Sequence, residues 1–336
     1  MFSYDLPEER IAQRPVHPYD CARMLCVDRK SRHIRESVFA ELDQILGPQD
    51  LMLFNDTRVM PCRLRGKLLT GGEVELLLLK EEVPGLWRAL GRPLKKFKAG
   101  VQIRSGEILL TVIERLTDYE VRLRLDSDLQ KFRELLPQTG AMPIPPYIRN
   151  GKADQDDAKD YQSLFAKVDG SVAAPTASLH FTESLIERIK ACGAKVLTLS
   201  LHLGPASFLA LQEQDGQVIP PAAEEFYVSD GVKEAVCQTK KQGGRVVAVG
   251  TTVVRAIESA FGGTQNSSAH STQLFIQPGF QFQAVDAMIT NFHQPGTTHL
   301  LLVEAFMGRE LLSKSYAYAL ENGFRFLSYG DGMFLC

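Results

Sequence analysis

Along this chain of 336 residues the spacing of hydrophobic and polar positions changes rhythm several times. Val121-Arg122-Leu123-Arg124-Leu125-Asp126 alternates strictly, which puts one face of a strand in a core and the other in water. Glu73 to Leu79 and Ile103 to Ile113 read as further strands, with hairpin turns at Gly71-Gly72 and Pro84-Gly85. From Pro61 to about Pro137 several short strands follow one another without a helix, which predicts a small barrel or sandwich. Pro143-Ile144-Pro145-Pro146-Tyr147 makes an extended exit from that segment.

Elsewhere strands and helices interleave. Leu51 to Phe54, Val196 to Leu201, Arg245 to Val249, Leu274 to Ile276 and Ala287 to Phe292 read as strands. Thr182 caps a helix that Gly193 stops, and Ser229 caps a second that ends at Gly243-Gly244. A third helix runs from Val253, and His299 to Leu312 makes a fourth. Gly262 to Thr272 reads as a surface loop. The pattern predicts a mixed-sheet α/β main domain, residues 1–60 plus 151–336, with an inserted small antiparallel β-barrel domain at 61–150.

Composition adds modest constraints. The chain is 44% hydrophobic and 23% charged with a net charge of −2, as in ordinary globular proteins. Residues 61–150 hold 16 Lys and Arg against 11 Asp and Glu, a net +5, so the remainder carries −7. A basic segment on an acidic body hints at a polyanionic partner. None of the six cysteines forms a C-x-x-C pair, which fits free thiols in a reducing compartment. The N-terminus has no apolar core of a signal peptide and no 18-residue apolar run occurs, so a cytoplasmic location with no membrane contact is expected.

Polar clusters stand where strands end. Asn55-Asp56-Thr57-Arg58 follows one strand, either as an Asx-turn or as a ligand-holding set of acceptor, hydroxyl and guanidinium. Gly250-Thr251-Thr252, with Arg255 one turn on, opens a helix whose N–H groups suit a carboxylate or phosphate, or simply caps it. It lacks the glycines and lysine of a nucleotide loop, which argues against a methyltransferase of the Rossmann type. Asn291 and His293 share a face beyond a third strand. Gly170-Ser171-Val172-Ala173-Ala174-Pro175-Thr176-Ala177-Ser178-Leu179-His180 carries nothing larger than valine before Leu179. Such a run is poor core and lets the backbone approach something closely, with His180 at the rim, titrating near neutral pH. His180, His202 and His293 recur at strand exits without the spacing of a metal site. Asp331 lies between Gly330 and Gly332 near the C-terminus, next to Tyr329. In the basic segment Arg63, Arg65, Arg92, Lys95, Lys96 and Lys98 are interleaved with Trp87 and Phe97, which suits RNA or a solvated barrel surface.

Taken together these strings resemble the S-adenosylmethionine:tRNA ribosyltransferase-isomerase family of the queuosine pathway. The resemblance runs from Tyr4-Asp5-Leu6-Pro7-Glu8-Glu9 through Phe54-Asn55-Asp56-Thr57-Arg58, Pro145-Pro146-Tyr147-Ile148, Gly170 to Ala177, Leu179-His180-Phe181-Thr182 and Ala248-Val249-Gly250-Thr251-Thr252. It ends with Thr290-Asn291-Phe292-His293 and Ser328-Tyr329-Gly330-Asp331. It implies transfer and isomerisation of the ribosyl part of S-adenosylmethionine onto 7-aminomethyl-7-deazaguanine at the wobble position of tRNA, with adenine and methionine released. S-adenosylmethionine is then a consumed cosubstrate, with no prosthetic group and no metal. The partner is a tRNA anticodon stem-loop and the chain acts as a monomer. A non-catalytic tRNA-binding module of the same fold is the alternative. The chemistry asks for a base beside the sulfonium, an acid for the leaving adenine, and an anion site. On this reading His180, His202 and His293 move protons, and Asp56 and Asp331 orient a histidine or hold ribose. Arg58, Arg255 and Gly250-Thr251-Thr252 bind the donor carboxylate, with Asn55, Thr57, Thr176, Asn291 and Tyr329 lining the same site. The chain departs from the family pattern at Tyr19, Ser178, Ala206-Ser207, Gln294 and His299.

Overall fold

The structure, a computed structural model, describes residues 2–204, 222–262 and 271–336, and the backbone of 213–214 and 217–218. The chain divides into two compact units, one of Met1–Arg58, Gln162–Val168 and Ala174–Cys336, the other of Val59–Tyr161 and Asp169–Ala173.

The first unit is built on a nine-stranded mixed sheet. Its strands run in the order Ser271–Thr272, Glu224–Tyr227, Lys195–Leu201, Leu51–Asn55, Val246–Val249, Ala287–Asn291, Gly332–Leu335, Arg23–Val27 and Ile34–Val38. The four from Lys195–Leu201 to Ala287–Asn291 are mutually parallel. Leu51 to Asn55, Val246 to Val249 and Ala287 to Asn291 are buried at every position. Such continuous burial is what parallel strands covered on both faces require, and it explains their unbroken apolar sequences. On one face Met52, Phe54, Val247, Val249 and Ile289 pack with Phe39, Phe181, Leu185 and Ile189 in one apolar cluster.

Helix starts follow the capping residues. Thr182 accepts from Leu185 N at 3.1 Å, Ser229 from Val232 N at 3.3 Å and Thr297 from Leu300 N at 3.4 Å, each satisfying a donor that a helix start leaves unpaired. Two expectations fail here. His299 to Leu312 is not one helix: Thr298–Met307 and Arg309–Glu321 are separated by Gly308, whose φ of 80° lies in the left-handed region open to glycine. Leu274 to Ile276 is not a strand; the Leu274 carbonyl is taken by Arg255 Nε at 3.1 Å instead of a strand partner, and pairing stops at Ser271–Thr272. Most of the loop expected at Gly262 to Thr272 lies outside the described residues, as do Ala206 and Ser207.

The second unit is a closed antiparallel barrel of six strands: Glu120–Leu125, Leu86–Arg92, Glu73–Val83, Arg63–Leu68, Gln102–Ser105 and Ile108–Arg115. The stretch read as one strand from Ile103 to Ile113 is a hairpin about Gly106, at φ 57°. Leu64, Leu76, Leu78, Ile103, Leu110, Val112, Val121 and Leu123 are among its buried side chains. Closure removes the exposed edges that isolated hairpins would leave. The unit is not purely β. Leu129–Thr139 is a helix capped by Asp128, with Phe132 packed on Trp87 at 5.7 Å between ring centroids. Pro137 stands in its last turn, which hid the helical period.

Asp50 ties two segments of the first unit together. Its carboxylate accepts from Gly47 N at 2.9 Å, Arg245 N at 3.2 Å and Arg245 Nη2 at 2.6 Å. Burial alone would raise its pKa, but the bonds from Arg245 and the Gly47 amide outweigh it and hold the carboxyl below the usual range. A depressed carboxylate contributes stability above its unfolded pKa and loses it as pH falls through the folded value. Asp50→Asn is expected to cost about 2 kcal/mol at pH 7, measured by urea unfolding, and the gap from wild type should narrow below pH 4.

Candidate active site at the strand ends

Parallel strands deliver their C-terminal ends to one edge, where α/β sheets hold ligands. Pairing of Leu53 with Ala248, and of Val249 with Ile289, sets Asn55, Gly250 and Thr290 level along that edge. Three polar groups sit there.

At the centre Asn55 and Asn291 act as brackets. Asn55 Oδ1 accepts from Thr57 N and Leu201 N, both at 3.1 Å, while Nδ2 donates to the Leu201 carbonyl at 2.9 Å and to Thr252 Oγ1 at 3.4 Å. The Asx-turn reading is therefore realised, and the amide is engaged within the protein. Asn291 Oδ1 accepts from Thr176 Oγ1 at 3.0 Å, and Nδ2 reaches the Leu327 carbonyl and His180 Nε2, both at 3.2 Å. Because Nδ2 can only donate, His180 Nε2 accepts and its proton belongs on Nδ1. The His180 ring stacks on Phe39 with centroids 4.1 Å apart. Burial, helped by the Arg325 charge, pushes its pKa down to about 3, so it does not titrate near neutrality as the sequence suggested. Beside it lies a cavity of about 10 Å³, lined in part by Tyr19, Ser328 and Tyr329, small enough for one water.

The run of small residues is core after all. Ala174, Ala177 and Ser178 are buried, and Ser178 Oγ has no hydrogen-bond partner among the described residues. Ala177 lies beside Gly250, whose φ of 94° is in the left-handed region: a Cβ there would stand 3.7 Å from Ala177 Cβ, an ordinary contact distance. Gly250 opens the helix Thr251–Phe261, and among the described residues no acceptor meets the Thr251 and Thr252 amides.

On one flank Thr57 Oγ1 lies 2.8 Å from His202 Nδ1, and Asp56 Oδ1 accepts from Ser200 Oγ at 2.6 Å. Asp56 is half-buried, while the exposed Arg58 donates to the Ala166 carbonyl at 3.3 Å. On the other flank Thr290 Oγ1 lies 2.7 Å from His293 Nε2. The His293 backbone is pinned by two phenols: Tyr4 OH donates to its carbonyl at 2.5 Å, and its N–H donates to Tyr316 OH at 2.9 Å. Its ring stacks on His299 at 5.3 Å. Burial and His299 lower the His293 pKa; burial and the Arg255 charge lower that of His299 to about 4, against the Glu224 carboxylate.

Two expected ligand groups turn inward. Arg255 pairs with buried Glu224, which also accepts from Gly204 N at 3.0 Å, so its charge is already matched. Asp331 touches no histidine; it accepts from Arg23 N at 3.1 Å, Arg325 N at 2.8 Å and Arg325 Nη2 at 3.3 Å. Tyr329 is buried. In the barrel unit Trp87 and Phe97 are core residues, so the aromatic interleaving is not a base-stacking platform. Arg63 donates to the Gly151 and Ile144 carbonyls and Lys96 to that of Glu73, whereas Arg65, Arg92, Lys95 and Lys98 are exposed. Glu224, His299, Ser200 and Tyr316 were missed as neighbours of the site. The only signal for Glu224 was a carboxylate pair, Glu224-Glu225, opening a short apolar alternation. No group of three or more potential metal ligands occurs among the described residues.

Polar side chains collected at the ends of parallel strands, in one chain with a closed barrel, define an α/β protein with a candidate site at its sheet edge and a second unit built on the barrel. The chain belongs to the family described as queuosine biosynthesis protein, which it matches over residues 1–335. It is 39% identical to a protein of Halothermothrix orenii over 99% of this chain and 98% of that protein, and 42% identical to one of Magnetococcus marinus over 98% and 92%. Both relatives are named S-adenosylmethionine:tRNA ribosyltransferase-isomerase. The crystal structure of S-adenosylmethionine tRNA ribosyltransferase from Thermotoga maritima matches all of this chain and 99% of its own, at 30% identity and a TM-score of 0.57.

A buried histidine whose pKa is lowered favours folding while neutral, so its contribution is full above pH 6.5 and declines as pH falls toward the folded value. For His180 the loss should be about 1.4 kcal/mol per pH unit across that window. Urea unfolding of wild type and His180→Gln between pH 7 and pH 5 should show that slope in the difference between them.

Proposed function

We propose that this chain is an enzyme that moves the ribosyl group of S-adenosylmethionine onto 7-aminomethyl-7-deazaguanine at the tRNA wobble position and isomerises it, with adenine and methionine released. The observation that carries the reading is near end-to-end identity of about 40% with proteins named for that activity. The polar row at the strand ends supports it chemically.

Proton transfer falls to His202 and His293. Each is half-buried and oriented by a threonine hydroxyl on one ring nitrogen, Thr57 for His202 and Thr290 for His293. A lowered pKa keeps His293 neutral at pH 7 and able to accept a proton. His180 is a positioning residue, since Asn291 engages its Nε2 and Phe39 covers its face. The Thr251 and Thr252 amides, at the positive end of their helix, receive the donor's carboxylate. Asp56, Thr57 and Arg58 meet its ribose, with Thr176 and Asn291 behind them. Arg255 holds Glu224 beside His299 and is not itself the anion site. The tRNA is engaged through its anticodon stem-loop, with barrel cations contributing, and the chain works as a cytoplasmic monomer. Among the described residues no helix is long and apolar enough to cross a membrane.

Incubation with S-adenosylmethionine and tRNA carrying the aminomethyl base should release adenine and methionine. S-adenosylhomocysteine would mean methyl transfer, and binding without products would mean a non-catalytic module. His293→Ala should lower kcat by roughly 100-fold or more with an unchanged circular dichroism spectrum; full activity in that variant would remove His293 from the mechanism.

A further inference from the structure

The barrel unit has an open cleft of about 1130 Å³ on its outer face. Five cations line it: Arg65, Lys67, Arg92, Arg104 and Lys152. Their placement follows from strand register. Arg92, Glu75 and Arg65 stand side by side across three strands, and Glu73, Lys67 and Arg104 do the same one step along. Four adjacent strands therefore present two rungs of charge, about 14 Å across at roughly 4.8 Å per strand. Between the rungs is Gly66, where a Cβ would come within 2.8 Å of the Arg104 carbonyl oxygen and 3.0 Å of Ile103 Cγ2. That direction is into the barrel, where Ile103 is fully buried, so Gly66 lets the Arg63–Leu68 and Gln102–Ser105 strands pack closely.

The pairing state of these cations sets them apart. Elsewhere on the same unit Arg88 pairs with Glu120, Arg122 with Glu82 and Glu114, Arg124 with Asp126 and Arg149 with Asp157. Among the described residues none of the five cleft cations is in a salt bridge, and all five are exposed. Of the two carboxylates in the cleft, Glu75 is 3.7 Å from Arg63 beneath it. The lining carries five positive and two negative groups, a net +3. Unpaired guanidinium and ammonium groups in a concave surface attract phosphates, and carboxylates set between them accept hydrogen bonds from ribose 2′-hydroxyls.

We propose that this cleft binds the sugar-phosphate backbone of the substrate RNA, with Arg65, Lys67, Arg92, Arg104 and Lys152 on phosphates and Glu73 and Glu75 on 2′-hydroxyls. The proposal rests on the tRNA reading above and narrows it: Arg63, Lys95, Lys96 and Lys98 lie outside the cleft contacts, and Lys67, Arg104 and Lys152 enter.

The test uses the full chain and tRNA carrying the aminomethyl base. Arg65→Gln with Arg104→Gln removes two cleft charges; Arg124→Gln with Arg133→Gln removes two charges elsewhere on the barrel unit and serves as the control. The cleft pair should weaken tRNA binding about 10-fold at 0.1 M salt and lower the slope of log K against log salt by about 1.5. The control pair should bind within about twofold of wild type, as rim charges away from the contact do. Lys152→Gln, a single exposed change, should raise Kd in the same direction and guards against misfolding of the double variant. A DNA copy of the tRNA should bind more weakly than the RNA. Wild-type affinity in the cleft variants, or equal loss in the control, overturns the proposal even if adenine is released. Loss of affinity confined to the cleft variants, with no adenine from wild type, would sustain the cleft and defeat the ribosyl-transfer reading instead.

Discussion

Two buried side-chain amides hold the site edge of the sheet together. Where parallel strands end, backbone N–H and C=O groups lose their ladder partners, and leaving them buried and unpaired costs about as much as a lost hydrogen bond each. Asn55 closes one such end by taking both the N–H and the carbonyl of Leu201 on its neighbouring strand. Asn291 closes another by joining the Thr176–His180 segment, through both of its end residues, to Leu327. An amide has a donor and an acceptor at fixed separation, so it can bridge unlike groups; a carboxylate, acceptor only, could not satisfy both. Through these two brackets Thr57, Thr252, Thr176 and His180 are tied to the strand ends.

Around the brackets charge is suppressed. Arg255 is neutralised by Glu224 and Asp331 is ringed by the Arg325 side chain and two amides, while His180, His293 and His299 are held below their ordinary pKa. A sulfonium donor is itself a cation, and a site with protonated imidazoles would repel it. Neutral imidazoles can instead accept a proton without first losing one. The same burial that makes His180 neutral also takes it out of proton transfer, which is why the half-buried His202 and His293 carry the chemistry in our reading.

Much of this was legible in the sequence because it depends on local pattern. Continuous apolar runs gave the parallel strands, capping threonines and serines gave helix starts, and strict alternation gave the barrel strand at Val121. Readings failed where a residue's partner lies far away in sequence. Arg255 sits one turn into a helix start and looked like an anion ligand, but Glu224, 31 residues earlier, occupies it. Trp87 and Phe97 stand among cations, yet they face the barrel core, since alternation sends neighbours to opposite faces. The helix at Leu129 to Thr139 was masked by its own proline. The run from Ser171 to Ser178 was read wrongly as poor core. Ala174, Ala177 and Ser178 are all buried there, so small side chains pack as core.

The turn from Leu327 to Gly330 shows how far the site is over-determined. Leu327 holds a φ of 68°, a left-handed conformation that costs a non-glycine residue about 1 kcal/mol. Its N–H donates to the Phe292 carbonyl at 3.1 Å and its own carbonyl accepts from Asn291. Gly330 completes the turn, where a Cβ would come within 2.5 Å of the Phe326 backbone. The strain is therefore maintained by bonds that also fix Asn291 and, through it, His180. Ser178 bears on the same point from the opposite side. Its backbone is outside the left-handed region, so conformation there does not demand glycine. What serine adds is a buried hydroxyl with no partner, a cost of about 1 to 3 kcal/mol by itself. That cost falls on the segment between Thr176 and His180, both of which Asn291 already holds, so the bracket keeps the segment in place despite it.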